Sequence, residues 1–382
     1  MFPSRDGFLR FSRLPSSVRL DRAQPFVLVP VAVHTNPSTE RSTLMRGAVI
    51  HAPGDVRFET LDDPKIVHPT DAVIRTVATC VCGSDLWPYR GLEPIGDPHP
   101  MGHEYVGVVE EVGSEVTSVT PGQFVVGSFA TSDNTCANCR GGWQSSCLHR
   151  EFMSTCQADY VRIPNAQGTL VATDGHPDGE FVPGLLAVSD VMGTGWYAAL
   201  AAEVKPGSTA VVVGDGAVGL CGVIAAKELG AERIIAMSRH ASRQKLALEF
   251  GATDIVTERG DEGVAQVKDL TAGLGADSVL ECVGTPEAMR QALHTARPGG
   301  NVGFVGVPHE VAVDGQELFF SHVGLRGGPA PVRRYLPELI DLVLSGRIDP
   351  GKVFDLTLPL EQVAEGYQAM DERRAIKTLL KP

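Results

Sequence analysis

The ten residues Val211–Leu220, VVVGDGAVGL, constrain the fold of this 382-residue chain more than any other stretch. Three apolar β-formers run into Gly214, Gly216 and Gly219, and the following AVGLCGVIAAKELGA has a helical rather than a strand period. In a G-x-G-x-x-G turn between strand and helix, the first glycine permits the tight bend and the second lets backbone approach a pyrophosphate. The third lets helix and strand pack closely. The helix then presents free N–H groups and the positive end of its dipole to phosphate. A dinucleotide site on Gly214, Gly216 and Gly219 is the reading; a plain strand-to-helix turn is the alternative.

The surrounding rhythm agrees. From about Val191 onward, RIIAMS, TDIV, ADSVLECVG and GGNVGFVG alternate with helical segments such as SRQKLALEFGA. Buried strands alternating with helices predict βαβ units on a parallel sheet. Between Met45 and about Pro183 the signals are instead short β runs, AVIRTVAT, YVGVVEEVG, QFVVGSF and DYVRIP, each punctuated by Gly or Pro. MRGAVIHAPGDVRFE alternates like a first strand, and the tail YLPELIDLVLSGRIDP, FDLTLPL, EQVAEGYQAM, AIKTLLKP reads helix, strand, helix, strand. A chain this long outgrows a single hydrophobic core, so at least two domains are expected.

The strand after the glycine turn bears on which dinucleotide binds. An acidic residue at its end would accept from the adenosine ribose hydroxyls and favour NAD. Here RIIAM ends in Ser238, followed by Arg239, His240 and Arg243, with no carboxylate among them. A hydroxyl and guanidinium groups suit a 2′-phosphate, so NADP is expected. The alternative is that these are solvated helix-start residues without preference. Composition narrows the partners further. The formal charge of −13 argues against a nucleic-acid-binding face, and no apolar run reaches the ~18–20 residues of a membrane span.

The eight cysteines are too sparse for a disulfide scaffold, yet several are clustered, which suggests metal. TCVCGSDLWPYRG sets Cys82 on a glycine turn beside Ser84 and Asp85. His103 and Glu104 follow in PMGHEYVGVVEEVGSEV, and LAVSDVMGTGWYAAL supplies Asp190. Thiolate, imidazole and carboxylate with one exchangeable position describe a catalytic zinc site.

GHE-x2-G with Gly113 and Val116 downstream, preceded by CGSD and followed by GDGAVG, resembles the zinc-dependent medium-chain alcohol dehydrogenases over essentially all of residues 45–382. CGSDLWPYRG is similar to the formaldehyde-dehydrogenase-like members, and Asp190 to the third ligand of the bacterial, acid-liganded branch. The resemblance implies an α/β fold: a GroES-like β-rich catalytic domain (45–190 and 333–382) and a Rossmann, doubly wound parallel sheet (191–332) that binds NADP. It implies Cys82, His103 and Asp190 as zinc ligands, Glu104 as a carboxylate that binds the metal transiently, and Ser84 as acceptor of the substrate proton. The substrate would be a small alcohol, aldehyde or ketone, and the assembly a cytoplasmic homodimer or homotetramer.

Two departures from the family pattern stand out. The lobe that usually reads C-x2-C-x2-C-x7-C here has Asp133, Cys136, Cys139 and Cys147. Carboxylate oxygen can bind zinc, so a second, structural ion on these four is expected to be weaker, with a metal-free lobe as the alternative. Trp87 stands where the family often has a proton-passing His, which sends the proton out through cofactor ribose and water. Trp87, Tyr89, Trp143 and Met192 are candidate walls of the substrate pocket, with ordinary packing as the alternative for each, and Arg326 is a candidate cofactor contact. Residues 1–44, with six Arg and no Lys, read as a dispensable or misassigned leader before Met45. A zinc-free quinone or enoyl reductase, or a non-catalytic NADPH-binding protein, would lack part of the set Cys82, His103, Asp190.

Overall fold

The apolar run Thr209–Val213 forms the middle of a six-stranded sheet in the computed structural model, which describes residues 44–382. The expected leader otherwise lies outside the described residues. The sheet runs Asp254–Val256, Arg233–Met237, Thr209–Val213, Ala276–Glu281, Ala296–Phe304, Gly324–Gly327, and every neighbouring pair is parallel. Helices Ala217–Glu228, Ala241–Phe250, Gly260–Leu270 and Pro286–Thr295 make crossovers between these strands. The strand order reverses beside Thr209–Val213, so a crevice opens at the carboxyl ends of the strands, where the glycine turn sits.

The β-rich part is built on a second sheet ordered Phe354–Pro359, Lys377–Lys381, Ala72–Cys80, Tyr105–Val112, Phe124–Gly127, Leu170–Ala172, with Tyr160–Ile163 pairing alongside Ala72–Cys80. The C-terminal strand Lys377–Lys381 is thereby inserted next to the strand that leads to Cys82, bringing residues far apart in sequence into register: Leu379 lies opposite Cys80. MRGAVIHAPGDVRFE is a hairpin rather than one strand: Leu44–Ala52 turns at Pro53-Gly54 and returns as Asp55–Asp62. Gly54 adopts φ +75°, a left-handed turn that ends the strand.

Helix Val191–Ala201 packs on the six-stranded sheet, against Ala276–Glu281, Ala296–Phe304 and Gly324–Gly327. All of its residues are buried except Leu200, and it shares one apolar cluster with strand residues of both sheets, among them Val106, Val126, Val212 and Leu280. A helix apolar all round belongs in a core. Because the helix is fixed on every side, Asp190 at its start is held at a defined place beside Cys82 and His103.

Candidate active site

Four donors gather from three separated stretches. Ligand atoms of Cys82, His103, Glu104 and Asp190 all lie within 4.8 Å of one another. His103 Nε2 is 3.3 Å from Asp190 Oδ2 and 4.0 Å from Glu104 Oε1, and Cys82 Sγ is 4.0 Å from Asp190 Oδ2.

Each donor is oriented by a partner behind it. The Cys82 N–H donates to Asp85 Oδ2 at 2.9 Å, and Asp85 Oδ1 lies 3.3 Å from His103 Nδ1. Asp85 therefore ties the thiol loop to the imidazole and leaves Nε2 facing the cluster. The Gln157 amide donates to Asp85 and to the Cys80 carbonyl, while Tyr367 donates to Gln157 Oε1. Gly102, just before His103, has φ +94°, and a Cβ there would lie 2.4 Å from Gln157 Cγ; this glycine lets the histidine loop pass over the amide. Thr194 donates to Asp190 Oδ1 at 2.7 Å, one turn along the helix. Lys377 donates to Glu104 Oε1 at 2.6 Å, both side chains being almost fully buried.

Electrostatics favours a cation at the centre. Burial works against the His103 imidazolium, but Asp85, Cys82 and Asp190 outweigh it and hold its pKa well above the usual value. Burial also pushes Glu104 up, and Asp190 adds to this while Lys377 and His103 oppose. For Asp190 burial raises the pKa, yet its bonds from His103 and Thr194 leave it lowered. Glu104 Oε2 is buried with no hydrogen-bond partner. An orphaned carboxylate oxygen beside a thiol, an imidazole and a second carboxylate fits a divalent ion and zinc in particular. Asp85→Asn is expected to weaken metal binding by ~10–100-fold, the usual cost of removing an outer partner of a ligating histidine; competition with a chromogenic chelator checks it, and an unchanged affinity would separate Asp85 from the metal.

The site opens into a cavity of about 1250 Å³ that runs past Cys82, Ser84, His103 and Asp190 to Gly214, Asp215 and Gly216 and on to Arg239, Arg243 and Arg259. The glycine turn suits a phosphate. Gly214 sits at φ +114°, a Cβ at Gly219 would lie 2.0 Å from the Gly214 carbonyl oxygen, and a Cβ at Gly216 would meet nothing within 4 Å. Gly214 and Gly219 thus close the turn, and Gly216 leaves the open space that a pyrophosphate requires.

At the far end, the expectation of no nearby carboxylate is corrected. Asp215, from within the glycine turn, accepts from Ser238 Oγ at 2.8 Å and pairs with Arg243 Nη1 at 3.3 Å. Sequence reasoning looked for an acid only at the end of the next strand and missed one arriving from the turn. Arg239 lines the cavity free of any carboxylate partner among the described residues, and it is joined by Arg259 and Arg373, neither of which was singled out.

Of the candidate walls, Trp87 alone lines the cavity, stacked on His309 with ring centroids 3.4 Å apart. Met192 is fully buried in the central apolar cluster, Tyr89 packs on Tyr367, and Trp143 lies under the Arg326 guanidinium. Arg326 is thereby turned away from the cavity lining as well. Leu86, Phe129, Phe152 and Met153 supply the apolar wall instead. Trp87 has a donor N–H and no acceptor, so its ring cannot hand a proton on.

The second cluster is also assembled: ligand atoms of Asp133, Cys136, Cys139 and Cys147 lie within 4.8 Å of one another. The Asp133 carboxylate accepts from the Thr135 and Cys136 N–H groups and faces His149 Nδ1 at 2.7 Å, an orienting partner unforeseen in sequence. Hydrogen bonds from the Leu148 and Cys139 N–H groups bring the Cys136 thiol down to about 7.

The comparisons agree with this geometry. The family described as "Alcohol dehydrogenase GroES-like domain" matches residues 68–174, and "Zinc-binding dehydrogenase" matches residues 217–345. The chain is 36% identical over 357 residues to Zinc-type alcohol dehydrogenase B of Aspergillus flavus, covering 90% of this chain and 82% of that one. It is 30% identical over 349 residues to an L-threonine 3-dehydrogenase of Bacillus licheniformis, covering 88% of this chain and 98% of the relative. Among solved structures, the alcohol dehydrogenase TADH from Thermus sp. ATN1 superposes with a TM-score of 0.81 at 31% identity, over 88% of this chain and 99% of that one.

Proposed function

Because this chain belongs to the zinc-dependent medium-chain alcohol dehydrogenase family, we propose that it interconverts an alcohol and its aldehyde or ketone with NADP(H). The observation that carries the reading is the convergence of Cys82, His103, Glu104 and Asp190 at the cavity that also holds Ser84 and the glycine turn. Residues 45–190 with 333–382 form the metal-bearing part and 191–332 the nucleotide-binding part.

Cys82, His103 and Asp190 hold the zinc, and Gly214, Gly216 and Gly219 with Arg239 hold the dinucleotide. When bound, the zinc supplies a Lewis acid toward the substrate oxygen and the nicotinamide supplies the hydride acceptor or donor. Ser84, on the thiol loop, takes the proton leaving the substrate hydroxyl. Asp85 keeps His103 in the tautomer whose Nε2 faces the metal. Lys377 fixes Glu104 through Oε1, the oxygen that lies 4.0 Å from His103 Nε2, and so holds the carboxylate at the cluster. Trp87, Phe129, Phe152 and Met153 exclude water from the reacting end and favour an apolar substituent on the substrate.

NADP is favoured over NAD because Arg243 offsets Asp215, leaving Arg239, Arg259 and Arg373 as surplus positive charge on the adenosine end. Asp133, Cys136, Cys139 and Cys147 take a second, structural zinc. The eight free cysteines fit a reducing, cytoplasmic setting; among the described residues no helix is long and apolar enough to cross a membrane. A dimer or tetramer is the assembly the family relationship suggests.

The test is a panel of primary and secondary alcohols and their carbonyls, run with both cofactors. We expect kcat/KM with NADP to exceed that with NAD by ~10-fold or more, and Arg239→Ala to remove most of that ratio, since a charge-assisted phosphate contact is worth about 1.5–3 kcal/mol. Equal efficiency in the parent would overturn the NADP assignment, and no turnover of any alcohol or carbonyl would overturn the reaction class.

A further inference from the structure

Two features of the adenosine end are in tension. Arg239, Arg259 and Arg373 line the cavity with no side-chain hydrogen bond or carboxylate partner among the described residues, whereas Arg243 and Ser238 are both engaged by one carboxylate. That carboxylate belongs to Asp215, the residue between the first two glycines of the turn. It is 8% exposed and lines the cavity. Burial raises its pKa, but the Ser238 hydroxyl and the positive charges of Arg243 and Arg259 leave it lowered.

Its position matters because Ser238 ends the strand that follows the glycine turn, where a dinucleotide's adenosine ribose is read. A carboxylate bonded to Ser238 stands where an acid at the strand's end would stand, although it comes from a different element. Toward a ribose bearing two free hydroxyls it is an acceptor. Toward a ribose bearing a 2′-phosphate it is a like charge, and it also holds the Arg243 guanidinium, at 3.3 Å, away from that phosphate. The surrounding arginines act in the opposite sense.

We propose that Asp215 is a specificity-determining residue that limits this chain's discrimination in favour of the 2′-phosphorylated cofactor, by occupying Arg243 and Ser238 and by opposing the phosphate. The inference rests on the nucleotide-binding reading above and adds to it the residue that sets the ratio. The enzyme thus retains a usable site for NAD(H) although cations dominate the pocket.

The experiment measures binding rather than turnover. Dissociation constants for NADPH and NADH come from the rise in nicotinamide fluorescence, and those for 2′,5′-ADP and 5′-ADP from calorimetry, on the zinc-loaded parent, Asp215→Asn, Arg243→Gln and the double variant. Asparagine keeps the shape and can still accept from Ser238, so the fold is preserved. Asp215→Asn should raise the NADPH-over-NADH affinity ratio by about tenfold, the scale of one like-charge contact in a partly solvated pocket. The 2′,5′-ADP-over-5′-ADP ratio should rise in parallel. In the Arg243→Gln background the gain should shrink, because the released guanidinium carries part of it. A ratio unchanged within twofold, or lowered, in Asp215→Asn overturns the inference whatever the parent prefers. A parent that binds 5′-ADP as tightly as 2′,5′-ADP overturns the NADP reading instead, and leaves the ratio change as a separate result.

Discussion

Replacing Cys82 by alanine is expected to reduce zinc from two ions per chain to one and to lower kcat/KM by ~10³-fold or more, the several kcal/mol that a Lewis acid contributes at 1.36 kcal/mol per decade. The loss follows from the donor set. Without the thiolate, His103 and Asp190, 3.3 Å apart, are left with only the Lys377-bound Glu104 carboxylate to complete the three protein ligands of a catalytic zinc site. The remaining ion would be the one proposed for Asp133, Cys136, Cys139 and Cys147, whose cluster is formed by a different loop. Metal counting by mass spectrometry and steady-state kinetics on the same sample check both numbers. A Cys82→Ala protein that retains two ions and turns over within tenfold of the parent would place the metal elsewhere. A parent with one ion per chain would leave the Asp133 lobe metal-free.

Lys377→Met should be the most destabilising single change near the site. Lys377 and Glu104 are each about 1% exposed and 2.6 Å apart, so removing the cation leaves a carboxylate in the interior without its counter-charge. Breaking one partner of such a pair costs about 3–5 kcal/mol. For a chain of this size that corresponds to a fall of about 5 °C in Tm. Adding Glu104→Gln to Lys377→Met should restore most of the loss, since the buried charge is then gone as well. Thermal scans of the zinc-loaded proteins decide it. If Lys377→Met melts within a degree of the parent, or Glu104→Gln gives no recovery, the pair is not what secures the C-terminal strand to the site.

Much of the fold was legible because periodicity and glycine punctuation act locally. The strand Thr209–Val213 and the helix Ala217–Glu228 fall where the pattern around Gly214, Gly216 and Gly219 puts them. The hairpin at Pro53-Gly54 was missed because its two arms share one alternation, and the turn that separates them occupies only two residues. Cys82, His103, Glu104 and Asp190 were legible as residue types in recognisable contexts. For Met192 and Arg326 the packing alternative holds, and nothing local distinguishes an apolar or cationic side chain at a cavity wall from one packed against the core.

What the sequence determined by itself, then, is the set of chemical groups and the local turns that carry them: a thiol on a glycine turn, an imidazole before a strand, a carboxylate ahead of a helix, a phosphate-sized turn. Which groups meet was decided by the tertiary structure alone. Lys377 reaches Glu104 because the last strand inserts beside Ala72–Cys80, and Asp215 reaches Ser238 and Arg243 because adjacent parallel strands bring their carboxyl ends together. The physical reason is that charge–charge and hydrogen-bond energies fall with distance in space, while a linear chain records only separation along itself.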